Sequence, residues 1–340
     1  MRIAVITTGI AGDQSGGAER FFSALVKAFG DIGHDAEEIR LRADEPDFEQ
    51  IKRNYLACYD LDVSSYDMVV STKAPTWMVR HPNHVCYLVH TIRVFYDMFD
   101  WSFPAPNEEQ RAQRDLIHRL DTGGMSPPRC KAVFSIGEEV SRRLRESNGL
   151  DAEVLHPPLW NNHFREGRSG DYLFLPGRLH PWKRVDLAIR AMRHVSADVR
   201  LKIAGVGEAD EELRALAARD ERIEFLGRVT DAALLDLYAN ALAVPFTPMR
   251  EDYGYVTLEA FASGKPVITC SDSGEAAAIV RNGENGFVCE ADAQAIGRAI
   301  DALAADRELA VRMGLCGKAW VNGLSWERVA RRLIEAAIDG

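Results

Sequence analysis

The sequence predicts an α/β protein built from doubly wound parallel sheets, two of them in tandem. Short apolar runs alternate with amphipathic stretches through the first half of the chain, the alternation breaks at a Pro- and Gly-containing stretch over 155–170, and it then starts again. Strands alternating with helices in this way form parallel sheets covered on both faces. Ligands of such sheets bind beyond the carboxyl ends of the strands, so chemistry is expected in the loops that follow each strand.

In the first series, strands are expected at 2–7, 68–71, 85–90 and 132–135, with an amphipathic helix over 18–29. Ser135, with Glu138 three residues on, reads as a capping box for a helix carrying Arg142, Arg143 and Arg145, and these arginines read as a solvated face. The aromatic group Phe95, Tyr96, Phe99, Trp101 and Phe103 suits packing better than an acceptor pocket. Asp60-Leu61-Asp62 has the composition of a metal-binding acidic pair, but it precedes a strand instead of ending one and reads as a solvated loop.

The second series expects strands at 172–175, 200–204, 223–225, 241–246 and 266–270, and helices at 185–192, 211–218 and 233–238. Leu258, Phe261 and Ala262 fall at helical spacing in a short buried helix that Gly264 and Pro266 terminate. A terminal helix over 326–338 places Val329, Leu333 and Ala337 on one side. The expected division is 1–160, joined by the terminal helix 325–340, and 161–324.

The 340 residues suit about two domains. With 41 basic and 51 acidic residues spread over both halves, the charge argues against a nucleic-acid surface. The six cysteines are scattered without a C-x-x-C pair, so neither a zinc knuckle nor a disulfide framework is suggested. No cleavable leader precedes the first strand and no apolar run approaches the ~20 residues of a membrane span, so a soluble, cytoplasmic protein is expected. Peripheral membrane contact through Arg142, Arg143 and Arg145 stays open.

The most informative segment is 250–266, where Glu259 sits inside the short buried helix. A buried ionised carboxylate must be paired, protonated, or set at the rim of a site where hydroxyls donate to it. Gly254 permits close backbone approach, and the N–H groups of Gly254, Tyr255 and Val256 open a helix N-terminus suited to an anion. Glu251 adds a second carboxylate on the preceding loop. An anion site, a hydroxyl-accepting Glu259 and Glu251 together describe a sugar nucleotide. Two cations five residues apart, Arg178 and Lys183, follow the strand at 172–175; a diphosphate leaving group needs such charge when no metal supplies it. An exposed basic turn is the plainer alternative. His90 closes the strand at 85–90 and is a strand-end candidate beside the plainer structural role. The loop from Gly9 to Glu19 is glycine-rich and opens a helix, as a ligand loop or as a simple connection. Neither it nor Gly205-Val206-Gly207, where Asp210 occupies the third glycine position, matches the dinucleotide fingerprint.

Gly16-Gly17-Ala18-Glu19, His90, Gly177-Arg178 with Lys183, Gly205-Val206-Gly207, and Glu251 with Glu259 together resemble the retaining GT-B glycosyltransferases of family 4, the glycogen-synthase-like group. The resemblance spans nearly the whole chain and is strongest over 172–288. It implies two Rossmann-like domains facing a cleft, an N-terminal domain that binds acceptor and a C-terminal domain that binds a nucleotide-sugar donor. By similarity, Glu251 contacts hydroxyls of the transferred sugar, Glu259 accepts the ribose hydroxyls, and Arg178 and Lys183 hold the diphosphate with backbone N–H groups from Gly254 to Val256. The backbone near Arg228 and Val229 is implied to read the base, His90 to lie against the donor sugar, and Gly17 to approach the diphosphate or the acceptor.

The implied reaction is metal-independent transfer to an acceptor hydroxyl on the face the nucleotide leaves, with retention and with no cofactor beyond the UDP- or GDP-sugar substrate. A glycan, lipid-linked or small-molecule acceptor fits, as in cell-surface polysaccharide or glycoside biosynthesis. One departure stands out. Relatives carry Gly-Gly, followed three residues later by Glu, after the strand ending near Cys270, whereas this chain has Gly274-Glu275 and then Ala278. A sugar-nucleotide epimerase or hydrolase, and a non-catalytic sugar-nucleotide binder, are the competing readings.

Overall fold

The computed structural model describes residues 1–9, 17–45 and 47–339. The chain divides into two units, Met1–Trp160 with Ser325–Gly340, and Asn161–Leu324.

The first unit runs β1 (Arg2–Gly9), α1 (Gly17–Asp31), β2 (Asp35–Arg42), α2 (Phe48–Tyr59), β3 (Met68–Lys73), β4 (His84–His90), α3 (Phe99–Ser102), α4 (Glu108–Met125), β5 (Ala132–Ser135), α5 (Glu138–Asn148) and β6 (Glu153–Val154). Its parallel sheet has the order β2-β1-β3-β4-β5-β6. Ile3, Ala4, Val5 and Ile6 are fully buried because β1 pairs with β2 on one side and β3 on the other. That position explains their continuous apolar run. β2 was not expected: its sequence DAEEIRLR is charged, and as an edge strand it pairs, among the described residues, with β1 alone. Local caps start α2 and α4, two helices that were also not expected. The Asp47 side chain accepts from Gln50 N at 2.8 Å, and Asn107 and Gln110 form a reciprocal capping box at 2.8 and 2.9 Å.

Two expectations in this unit are corrected. Ser135 does not cap α5: its hydroxyl donates to Gly137 O at 3.0 Å, and Gly137 is the N-cap without a side-chain bond. The three arginines of α5 also do not share a solvated face. Arg145 is exposed and pairs with Asp151, and Arg142 bridges Glu139 and Glu146, but the Arg143 side chain is only 2% exposed and pairs with Asp97 at 2.8 Å. The aromatic group packs as expected at Phe95, Tyr96 and Phe99, while Trp101 is exposed.

The second unit runs β7 (Tyr172–Pro176), α6 (Val185–Met192), β8 (Arg200–Ala204), α7 (Asp210–Ala217), β9 (Ile223–Gly227), α8 (Asp231–Ala239), β10 (Val244–Pro245), α9 (Tyr255–Ala262), β11 (Val267–Cys270), α10 (Glu275–Ile279), β12 (Gly286–Cys289), α11 (Ala293–Ala305) and α12 (Arg307–Asn322). The strand expected over 241–246 is regular only at Val244–Pro245. Pro245 has no N–H to continue a ladder, and the preceding residues bridge to β7 instead: Leu242 N donates to Tyr172 O at 2.8 Å and Phe174 N to Ala243 O at 3.1 Å. These bonds join the trios β7-β8-β9 and β10-β11-β12 edge to edge, in the order β9-β8-β7-β10-β11-β12. The order of strand succession reverses between β7 and β10, which run parallel, and ligands of such sheets bind beyond the carboxyl ends of the strands at a reversal of this kind. Leu173, Leu201, Ile203 and Ile268 of the sheet pack against Ile189, Met192 and Ile300 of the helices.

The last helix, α13 (Trp326–Asp339), belongs to the first unit. Val329, Leu333 and Ala337 are buried, the Trp326 and Phe21 rings lie 5.5 Å apart, and Trp326 Nε1 donates to Leu159 O at 3.1 Å. Among the described residues no helix is long and apolar enough to cross a membrane. All six cysteines are free, and no cluster of three or more His, Cys, Asp or Glu side chains gathers as a metal site among the described residues.

Candidate functional site

The loop after β7 descends from Gly177 to a single 3-10 turn, Pro181–Lys183. His180 caps that turn, its Nδ1 accepting from Trp182 N at 3.1 Å, and Pro181 starts it with a preset φ. Buried Leu179 anchors the loop to the one after β8: Leu179 N donates to Val206 O at 3.1 Å and Ala209 N to Leu179 O at 3.0 Å. A Cβ on Gly205 would lie 1.8 Å from Gly177 O, and one on Gly207 2.3 Å from Leu179 O. Gly205 and Gly207 therefore serve close loop-to-loop packing.

Arg184 follows in the left-handed region, at φ 48°. Its guanidinium donates to Thr247 O and Pro248 O, each at 2.8 Å, and forks onto Asp272 at 2.7 and 2.6 Å. One side chain thus holds together the loops after β7, β10 and β11. Backbone bonds repeat the connection: Met249 N to Trp182 O at 2.7 Å, Arg250 N to Asp272 O at 3.0 Å and Glu251 N to Ser273 O at 3.2 Å. Arg250 also sits at positive φ, 49°, a cost that the surrounding bonds offset.

These constraints bring Lys183 and Glu251 together. Lys183 Nζ donates to both Glu251 oxygens, at 2.7 and 2.6 Å, and lies 5.9 Å above the centre of the Phe246 ring. Gly254 adopts φ 76°, and a Cβ there would meet the Phe246 ring at 2.6 Å, so the chain can turn into α9 at this point only with glycine. One turn into α9, Glu259 is 8% exposed and accepts from the Tyr238 hydroxyl at 2.5 Å. Burial and the Glu259 charge raise the Tyr238 and Tyr255 hydroxyls far above their ordinary pKa, so both stay protonated donors. The buried carboxylate inferred from sequence is therefore paired, with one oxygen engaged by Tyr238.

At the departure from the family pattern, Gly274 pairs with Glu251 in an isolated bridge, and Glu275 N donates to Glu251 O at 2.9 Å. Glu275 itself is fully buried. A residue on this loop thus supports the Glu251 backbone directly.

The remaining candidates are placed separately. Arg178 is exposed on the loop after β7, and Tyr255 and Val256 are half-buried in the first turn of α9. Arg228 is exposed and Val229 half-buried on the loop after β9, and no hydrogen bond or ion pair joins either to the Lys183–Glu251 pair among the described residues. His90 ends β4 in the first unit, half-buried, with Nδ1 3.0 Å from Thr91 O. Gly17 begins α1, while residues 10–16 of the glycine-rich loop lie outside the described residues. Sequence reasoning missed Arg184, Asp272 and Tyr238. Arg184 alone left a trace, as the third cation of a basic run; the others act through contacts distant in sequence.

Residues 160–320 match the family described as glycosyl transferases group 1. A D-inositol 3-phosphate glycosyltransferase of Nocardia farcinica is 32% identical over 262 residues, covering 68% of this chain and 56% of the relative. A GDP-mannose-dependent alpha-(1-6)-phosphatidylinositol monomannoside mannosyltransferase of Mycobacterium tuberculosis is 34% identical over 175 residues, covering 46% of this chain and 45% of the relative. The chain spans about half the length of such curated relatives. Among solved structures, Anabaena HepE in complex with UDP and glucose superimposes with a TM-score of 0.75 at 16% identity, over 99% of this chain and 100% of that one. Sucrose-phosphate synthase from Thermosynechococcus elongatus does so with 0.76 at 18% identity, over 98% and 97%. The fold is that of GT-B glycosyltransferases, and residues 160–320 match the glycosyl transferases group 1 family.

Proposed function

We propose that this protein is a retaining glycosyltransferase that moves a sugar from a UDP- or GDP-sugar to an acceptor hydroxyl. The observation that carries the reading is the Lys183–Glu251 contact on loops leaving β7 and β10, the two strands that flank the reversal of strand order. A cation for a diphosphate and a carboxylate for sugar hydroxyls stand side by side there, with Glu259 placed for a ribose. In this reading Glu259 takes ribose hydroxyls beside the bond it accepts from Tyr238. Charge growing on the leaving diphosphate is stabilised by Lys183, Arg178 and the N-terminus of α9. The phosphate oxygen then takes the proton of the incoming hydroxyl on the same face, so configuration is retained without a dedicated protein base. The structure of HepE with UDP-glucose and the GDP-mannose dependence in the mycobacterial relative's name support donors with these two bases. The relatives' names likewise favour an inositol-containing, lipid-linked or glycan acceptor.

The test is a screen of purified protein against UDP-, GDP- and ADP-sugars, with and without a chelator, following nucleotide release. Turnover of one donor that survives the chelator and rises with acceptor is the expected result. Conversion of the donor at a rate indifferent to every acceptor would favour an epimerase or hydrolase, and a folded protein that binds none of the donors would remove the reading. His90 is tested in the same assay: His90→Ala is expected to lower transfer while leaving nucleotide affinity within about threefold of the parent, a change under 1 kcal/mol.

A further inference from the structure

In the reading above Lys183 and Glu251 address different parts of the donor, the diphosphate and the sugar, yet each is the other's partner here. Their side chains keep 30% and 17% exposure, so water and a ligand can reach the pair. The backbones on both sides are fixed independently, by the bonds from Met249, Arg250 and Glu251 and by the Arg184 fork. Side-chain rotation is therefore the motion that opens the contact. A diphosphate arriving at Lys183 must take the cation from Glu251, and what then happens to the carboxylate depends on what the phosphate carries. A sugar brings hydroxyls that donate to Glu251 in the lysine's place. A bare nucleoside diphosphate brings only more negative charge, leaving a largely enclosed carboxylate without its cation beside a like charge.

We propose that the Lys183–Glu251 pair discriminates a sugar-bearing nucleotide from a bare nucleoside diphosphate, opening at low cost only for a ligand whose hydroxyls replace the lysine on Glu251. The inference rests on the donor assignment above. It gives Glu251 a role in specificity beyond contact with the sugar: the pair re-forms once the sugar has left, weakening the hold on the spent nucleotide and favouring its release.

The test is calorimetric titration of the parent, Glu251→Gln, Lys183→Met and the double variant with UDP, GDP, their nucleosides, UDP-glucose and GDP-mannose. Neutralising Glu251 frees Lys183, so Glu251→Gln is expected to bind the free diphosphate about tenfold more tightly, the size of one partly buried charge coupling. Nucleoside affinity is expected to stay within about twofold and serves as the control for folding, since a twofold change is under 0.5 kcal/mol. In the Lys183→Met background the gain is expected to vanish. Unchanged or weaker diphosphate binding by Glu251→Gln with nucleoside affinity intact would overturn the inference while leaving the donor reading standing, as would an equal gain without Lys183. A parent protein that binds no nucleoside diphosphate and no sugar nucleotide would remove the donor reading itself, and this inference with it.

Discussion

Both units hold clusters of charged side chains, but they use those charges differently. In the first unit Asp97 lies between Arg93 and Arg143 at 2.6 and 2.8 Å, with the Asp97 and Arg143 side chains each 2% exposed. Asp121 is enclosed altogether, accepting from Tyr55, Trp77 and Tyr96 at 2.6, 2.9 and 2.6 Å. In the second unit the Lys183–Glu251 and Arg184–Asp272 pairs stay partly open to solvent, on the loops after β7, β10 and β11. The difference teaches that burial decides whether a charge cluster can exchange partners. An enclosed pair cannot trade its partner for a ligand without uncovering a bare charge, so it serves architecture, whereas a half-open pair can trade.

The largest expected effect breaks the architectural side of this contrast. Arg143→Ala takes one of two cations from enclosed Asp97, leaving Arg93 on it, and is expected to cost about 3 kcal/mol, read as a lower midpoint in denaturant unfolding. An effect below about 1 kcal/mol would show that Asp97 is as exchangeable as Glu251. On the other side, Glu251→Ala is expected to lower transfer about 100- to 1,000-fold in kcat while nucleoside affinity persists, measured by nucleotide release from the preferred donor. Equal loss of nucleoside binding would place Glu251 in the architecture instead.

Titration sharpens the contrast within the first unit. Burial holds the His84 ring down, to a pKa of about 4 against an ordinary 6.5, and pushes Asp121 up to about 6 from 3.8. The depressed histidine contributes stability that is present above pH 6.5 and lost as the pH falls toward 4. The raised aspartate contributes stability that is present below pH 3.8 and lost as the pH rises through 6. Between pH 4 and 6 the two oppose each other. Asp121→Asn is therefore expected to steepen acid destabilisation between pH 6.5 and 4, with His84 accounting for on the order of 3 kcal/mol, followed by melting temperature against pH. A parallel pH profile for the parent and Asp121→Asn would rule out the opposition. The smallest effect is at Tyr238: the Phe variant removes one donor to Glu259 and is expected to weaken nucleoside binding by about 1 kcal/mol, roughly fivefold, in the same titrations.

The parts of the fold legible in sequence are those whose signal is local. Buried central strands such as β1 and β7 read as continuous apolar runs, and α13 shows its buried stripe in the spacing of Val329, Leu333 and Ala337. β2 was invisible because an edge strand carries charge on a backbone held by one neighbour. Arg143 misled because a charged helix residue reads as solvated unless its partner is known, and Asp97 is 46 positions away in sequence, 143 less 97. Among the site candidates, Lys183, Glu251 and Glu259 stood out as charges at breaks in apolar pattern. Tyr238 and Asp272 gave no such signal, since a tyrosine in an apolar helix and an aspartate in a loop are ordinary.

By itself the sequence determined the alternation of buried strands with helices in two series, the break between the series and the types of charge following strands 172–176 and 244–245. Periodicity, glycine and proline act over a few residues, and a reader needs nothing beyond them to find those features. Only the tertiary structure decided which charges meet. Hydrogen-bonded sheet order brings the loops after β7, β10 and β11 together, and Arg184, held in a left-handed turn by carbonyls more than sixty positions away, clamps them there. Partner choice among charges depends on distances across the fold, and those exist only once the chain has packed.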